Sequence, residues 1–138
     1  MGTWGTGPFD GDAAADFLAE LAAMSVDRRL GAIRGVLSTA AAERDYLEAP
    51  QGGMAVAAAA LTAAARAGSA SPADPAYGPE LAVPAPPPQL AVLAVHALDR
   101  VLAPDSELAE LWDESGDGGR EWRAVLARLR TELSGRAG

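Results

Sequence analysis

Residues 54–67, MAVAAAALTAAARA, carry little that is larger than a methyl group over about four helical turns. Alanine is the strongest helix former, so this stretch is predicted to be helical. A helix this thin has almost no apolar stripe of its own. It is stable in water only where other helices approach closely on several sides, which predicts a central helix in an all-α protein. The run Met54–Ala65 is too short to span a bilayer, and the chain contains no Cys to staple a smaller core. At 138 residues, one domain with a radius of gyration of about 14 Å can bury a core of its own.

Glycine and proline punctuate the rest. They cluster at 2–11, 50–53, 68–88 and 116–119, and between the clusters apolar residues recur at helical spacing. Ala14, Phe17, Leu18 and Leu21 make one face, with Asp10 or Asp12 as the expected N-cap. Val26, Leu30, Ile33, Leu37 and Ala40 make a second, capped by Ser25. Gly31 and Gly35 lie one turn apart there and are expected to admit a neighbouring helix. RDYLEAP then breaks the pattern, and Tyr46 and Leu47 are expected to fold back onto the core. Pro50 suits the first turn of the small-residue helix and Gly68 its C-terminus.

QLAVLAVHALDRVLA follows, with a strong face from Leu90 to Leu102 that Val92 and Val95 widen. Leu108, Leu111 and Trp112 form the apolar side of a short fifth helix. Trp122, Val125, Leu126, Leu129 and Leu133 form that of a sixth. No stretch alternates with period two. The expectation is a single all-α domain over 1–138, a bundle of about six helices. Residues 1–11 serve as an N-terminal latch and 69–88 as a long Pro-rich surface loop.

The opening WGTGPFDGDAAADF, the central DYLEAP, and SELAELWDES followed by EW resemble the bacterial domain-of-unknown-function family 4259 over nearly the whole chain. The resemblance implies a fold and no mechanism. Where members of that family typically read FDND this chain reads FDGD, and where they carry a Glu in the third helix it runs AVAAAAL. A function resting on that Glu would be missing here.

Charge narrows the functional classes. The formal net charge is -8, from 19 acidic and 11 basic residues, all of the latter Arg. Exclusive use of Arg with abundant Ala, Gly and Pro is the coding bias of a GC-rich genome, not a physical signal. The acidic balance argues against nucleic acid as a partner and suits a basic protein. The N-terminus has neither a basic nor an apolar leader region, which predicts a cytoplasmic protein.

Four constellations are candidates for chemistry. Asp105, Glu107, Glu110, Asp113 and Glu114, continued by Asp117, form the densest acidic stretch and the expected partner-binding face. Asp10, Asp12 and Asp16 offer hard oxygens for a divalent metal, though their spacing is that of no known calcium loop. Glu107, Glu110 and Glu114, with His96, are a second such set. The aromatics Trp4, Phe9, Trp112 and Trp122 read as plugs of a core or interface; a ligand pocket between Trp112, Trp122 and the fourth helix is the alternative. His96, the only His, has no Cys or serine motif to activate. It reads as a hydrogen-bonded, partly exposed side chain that Asp99 and Arg100 can orient. These residues predict a non-enzymatic interaction module without a cofactor, such as an antagonist of a basic toxin or nuclease. A carboxylate metal-binding or metal-dependent hydrolytic protein and a small-ligand-binding bundle are the alternatives.

Overall fold

A computed structural model describes residues 7, 11–67 and 82–135. Among them are six helices and no strand: α1 (Asp12–Ala22), α2 (Val26–Ala42), α3 (Ala49–Arg66), α4 (Pro88–Leu102), α5 (Glu107–Asp113) and α6 (Asp117–Ser134). The bundle is all-α, as the periodicity predicts. Trp4, Phe9 and Asp10 of the expected latch, and residues 69–81 of the expected loop, lie outside the described residues. That loop ends sooner than predicted, because Pro88 is already the first residue of α4 and Pro87 its N-cap. Proline has no amide hydrogen to lose there, and its fixed φ suits the first turn.

The alanine-rich α3 runs through the middle and touches each of the other five helices. Eight consecutive residues, Ala55 to Thr62, are buried. Burial around the whole circumference works because a methyl group lets a neighbouring backbone approach. The hydroxyl of Thr62 donates to the Ala58 carbonyl at 2.9 Å, so the one polar side chain on that stretch is satisfied. Around α3 pack Phe17 and Leu21 from α1, Ile33 and Leu37 from α2, Leu90, Leu98 and Val101 from α4, and Trp122 and Leu126 from α6.

Three arginines tie the helix ends together. The carbonyls of a helix's last turn have no partner inside the helix. Arg29 donates to the carbonyls of Leu21 and Met24 at the end of α1, and to Ala82 ahead of α4. Arg66 donates to Glu132, Leu133 and Gly135 at the end of α6. Arg100 reaches Glu43 and Asp45 beyond α2, both at 2.8 Å, and the 104–105 turn at its own end. In each case a delocalised cation meets the negative end of a helix dipole.

A short parallel pairing joins the two halves of the chain. Leu47 and Ser106 form an isolated β-bridge: the Leu47 amide donates to the Asp105 carbonyl, and the Glu107 amide donates to the Leu47 carbonyl, both at 2.9 Å. Asp105 enters the bridge with φ at +65°, a left-handed conformation that Asp tolerates better than most residues. Nothing in the hydropathy pattern marks this contact.

Several local expectations are corrected. The N-cap of α1 is Gly11, with Asp12 in the first turn instead. Ser25 occupies the N-cap of α2 without a side-chain capping bond; the C-cap of α3 is Ala67, and Gly68, expected at its C-terminus, lies outside the described residues. Leu47 is buried as expected, but Tyr46 stays exposed. Val26, Val92 and Leu111 are exposed too, because each stripe meets its neighbours over a narrower arc than its apolar residues span. Gly31 and Gly35 admit no helix, since a Cβ at either meets nothing within 4 Å. The close approaches are at Gly52, against Leu108, and at Gly119, where a Cβ would sit 2.2 Å from the Trp112 carbonyl oxygen.

Two outcomes follow for stability, both read from chemical denaturation midpoints. Gly31→Ala and Gly35→Ala each stabilise by about 0.5–1 kcal/mol, because both sites are helical, exposed and open, whereas Gly119→Ala destabilises by about 1–3 kcal/mol through overpacking on backbone. Arg100→Met costs about 1–3 kcal/mol, since it strips charge-assisted bonds from several carbonyls at once, and lowers the midpoint more than loss of the exposed ion pair in Arg130→Met.

Candidate functional site

The corner where α1, α3, α5 and α6 meet holds both the acidic stretch and an apolar cavity. Its geometry starts with the short linkers on either side of α5. Ser106, fully buried, caps α5 by accepting from the Ala109 amide. At the other end Gly116, with φ at +61°, turns the chain back so that α6 starts beneath α5. Gly119 then lets the first turn of α6 touch the Trp112 backbone. The result stacks Trp112 on Trp122, ring centroids 5.9 Å apart and planes 11° from parallel. Trp122 is buried, and Trp112 is half-buried. The guanidinium of Arg123 stands 5.9 Å over the Trp122 ring.

The two rings wall a cavity of about 180 Å³. Its floor is Gly53 and Val56 of α3 with Leu108 of α5. Ala14 closes the α1 side, and Gly7, Gly11 and Asp12 border it. Among the described residues lining it, Asp12 alone is charged. This cavity lies against α1 and α3, and α4, the expected third wall, supplies none of its described lining residues. Its volume falls below the roughly 300–1,000 Å³ usual for small-molecule sites. It is nearer the ~150 Å³ of an apolar cavity that holds a benzene ring. A second hollow of about 290 Å³ between α2 and α3, beside Gly35, Thr39 and Met54, carries no charged or aromatic side chain.

The acidic stretch is less free than its sequence suggests. The Glu107 carboxylate accepts from the Ala49 amide at 2.8 Å, capping α3 from another helix. Glu110 accepts from the Tyr46 hydroxyl at 2.6 Å. Asp113 takes both its oxygens to Arg123, at 3.0 and 3.1 Å, and Asp117 pairs with Arg120 on the same turn of α6. Asp105 works through its backbone. Glu114, at the C-cap of α5, stays exposed. Asp12 and Asp16 are exposed on the first two turns of α1, while Asp10 lies outside the described residues. Among the described residues no group of three or more His, Asp or Glu side chains is placed to hold a metal ion. This covers the second predicted metal set, Glu107, Glu110, Glu114 and His96.

His96 is exposed on α4, and neither expected orienting partner serves it. Asp99 is held by Arg130 through both oxygens, at 2.7 and 3.2 Å, and Arg100 is committed to backbone carbonyls. Sequence reasoning missed the structural use of Glu107 and the part of Gly53 and Val56 in the cavity. A Gly-Gly pair at the start of α3 was the available signal for the latter.

The Tyr46 phenol is pushed up to about 12, chiefly by its hydrogen bond to Glu110, then by partial desolvation and the charges of Glu110, Glu107 and Asp105. A folded-state value above the ordinary 10 favours the protonated phenol, so this contact supports the fold below pH 10 and loses its contribution as pH rises from about 10 to about 12. In Glu110→Ala the tyrosinate absorbance of Tyr46, assigned against a Tyr77→Phe background, titrates closer to 10.

No helix among the described residues is long and apolar enough to cross a membrane. Comparison with curated proteins and with solved structures finds no match. The model of the family described as a domain of unknown function, DUF4259, matches residues 2–125. Gly7, the start of α1, DYLEAP, α5 and the first two turns of α6 all fall inside that span; the chain belongs to the DUF4259 family.

Proposed function

We propose that the protein is a non-enzymatic, cytoplasmic interaction module that binds a basic protein partner through the α5 corner; an antagonist of a basic enzyme is one form this would take. The observation that supports it is an imbalance of spent charges. Three arginines are engaged: Arg100 on carbonyls, Arg120 on Asp117 and Arg123 on Asp113. Glu110 and Glu114 on α5, and Asp12 and Asp16 on α1, are exposed with no basic group paired to them among the described residues. A surface patch so uncompensated raises the local concentration of cationic partners and speeds their encounter.

Tagged protein incubated in lysate of its native host captures a basic protein at low salt and releases it at high salt, since exposed charges are screened over about 8–10 Å at moderate ionic strength. The double variant Glu110→Gln, Glu114→Gln retains the fold and loses most of the capture, read by quantitative mass spectrometry. Capture indifferent to both salt and variant would sink the proposal.

A further inference from the structure

We infer that the Trp112–Trp122 cavity receives one apolar ring from the partner, a phenylalanine side chain, with the residue next to it an arginine or lysine that meets Asp12. The inference rests on the interaction-module reading and names the chemistry it recognises.

Size comes first. A cavity of about 180 Å³ is too small for a cofactor or a typical metabolite and suits a single ring. One side chain brought in by a larger partner meets that limit, because the rest of the partner binds outside. The walls are preformed. Ala14, Val56, Leu108 and Trp122 belong to the buried core, which fixes the positions of these walls. Trp112 and Trp122 are stacked on each other and leave ring surface toward the cavity, to which an entering phenylalanine adds by offset or edge-to-face contact. Central aromatic anchors in such preformed pockets carry a large share of binding energy at protein interfaces.

Charge then sets what flanks the ring. Asp12 is the charged residue among the described ones at the cavity, and it is exposed. Arg123, the cation nearest the ring wall, is held by both oxygens of Asp113. Asp16 lies one turn along α1 from Asp12, and Glu48 precedes the α3 residues of the floor. An anchor with an acidic neighbour would meet these carboxylates without a counter-charge, and one with a basic neighbour is drawn to them.

The test is a titration of the full isotope-labelled chain, followed by NMR, with three capped dipeptides: acetyl-Phe-Arg-amide, acetyl-Phe-Glu-amide and acetyl-Gly-Arg-amide. Saturable shifts from the Phe-Arg probe at the indole N–H groups of Trp112 and Trp122 and at the Gly53 amide are expected. The Phe-Glu probe should bind about three- to tenfold more weakly, the scale of reversing one exposed charge contact, and the Gly-Arg probe should leave these signals in place. Gly53→Leu, which puts a side chain into the cavity, should abolish the shifts while the dispersion of the spectrum shows the fold intact. Asp12→Asn should narrow the preference for Phe-Arg over Phe-Glu and keep ring binding. Equal affinity of the Phe-Arg and Phe-Glu probes overturns the charged flank. Shifts that survive Gly53→Leu, or no shifts at all, overturn the anchor site. Binding that appears only in Trp4→Ala or Phe9→Ala would assign the cavity to the chain's own aromatics and overturn the proposal as well. A salt-sensitive partner captured from lysate alongside a silent probe titration would leave the interaction module standing without this anchor; a positive titration without any captured partner would do the reverse.

Discussion

Because α3 presents methyl groups over most of its surface, a neighbour must come within about 8–10 Å of its axis to bury anything against it. Five helices do so. That convergence crowds the helix ends and the connections between them, where backbone carbonyls have no partner in their own helix. The arginine clamps answer this need. Arg29, Arg66 and Arg100 each lie in one helix and cap the end of another. Side-chain length makes it possible, since a long guanidinium spans the gap that a thin central helix creates at its periphery. The same logic puts the Glu107 carboxylate on the first amide of α3, an acid at the positive end of a dipole and cations at the negative ends.

Those assignments change how the charge of the molecule is read. A net charge of -8 looks like a uniformly acidic surface, but charges committed to the backbone are not equivalent to charges facing solvent. Arg29, Arg66 and Arg100 stabilise the fold, and Glu107 does likewise from the other side. The ion pairs among the described residues, Arg120–Asp117, Arg123–Asp113 and Arg130–Asp99, are exposed and contribute little each. What is left over includes the exposed carboxylates of Asp12, Asp16, Glu110 and Glu114, which no arginine pairs with among the described residues.

Helix number and the centrality of α3 were legible from glycine and proline punctuation and from 3.6-residue periodicity, because both report local backbone preference and one-sided burial. Arcs of burial were less so. Val26, Val92 and Leu111 continue their stripes in sequence yet remain exposed, since how wide an arc is covered depends on which helices arrive beside it. Gly31 and Gly35 show the same limit from the other direction: helix-breaking residues one turn apart suggest contact, and no partner comes. The site was half legible. Trp112, Trp122 and the α5 carboxylates were found from the sequence; the cavity's floor, the capping by Glu107 and the Leu47–Ser106 bridge join residues more than fifty positions apart, and no periodicity carries that information.

The capping of Ala49 by Glu107 has a consequence for the order in which the chain is made. The two residues are 58 positions apart, so at about 5–20 residues per second the ribosome delivers the cap several seconds after the first turn of α3. Arg100, whose guanidinium closes the end of α2, arrives 57 residues after Glu43. The first three helices therefore exist for a time with their alanine faces bare and their ends unfinished. A helix covered in methyl groups is well suited to that interval. It keeps its own backbone bonded by intrinsic preference while exposing no large apolar side chain but Leu61 and few others to the crowd around the ribosome.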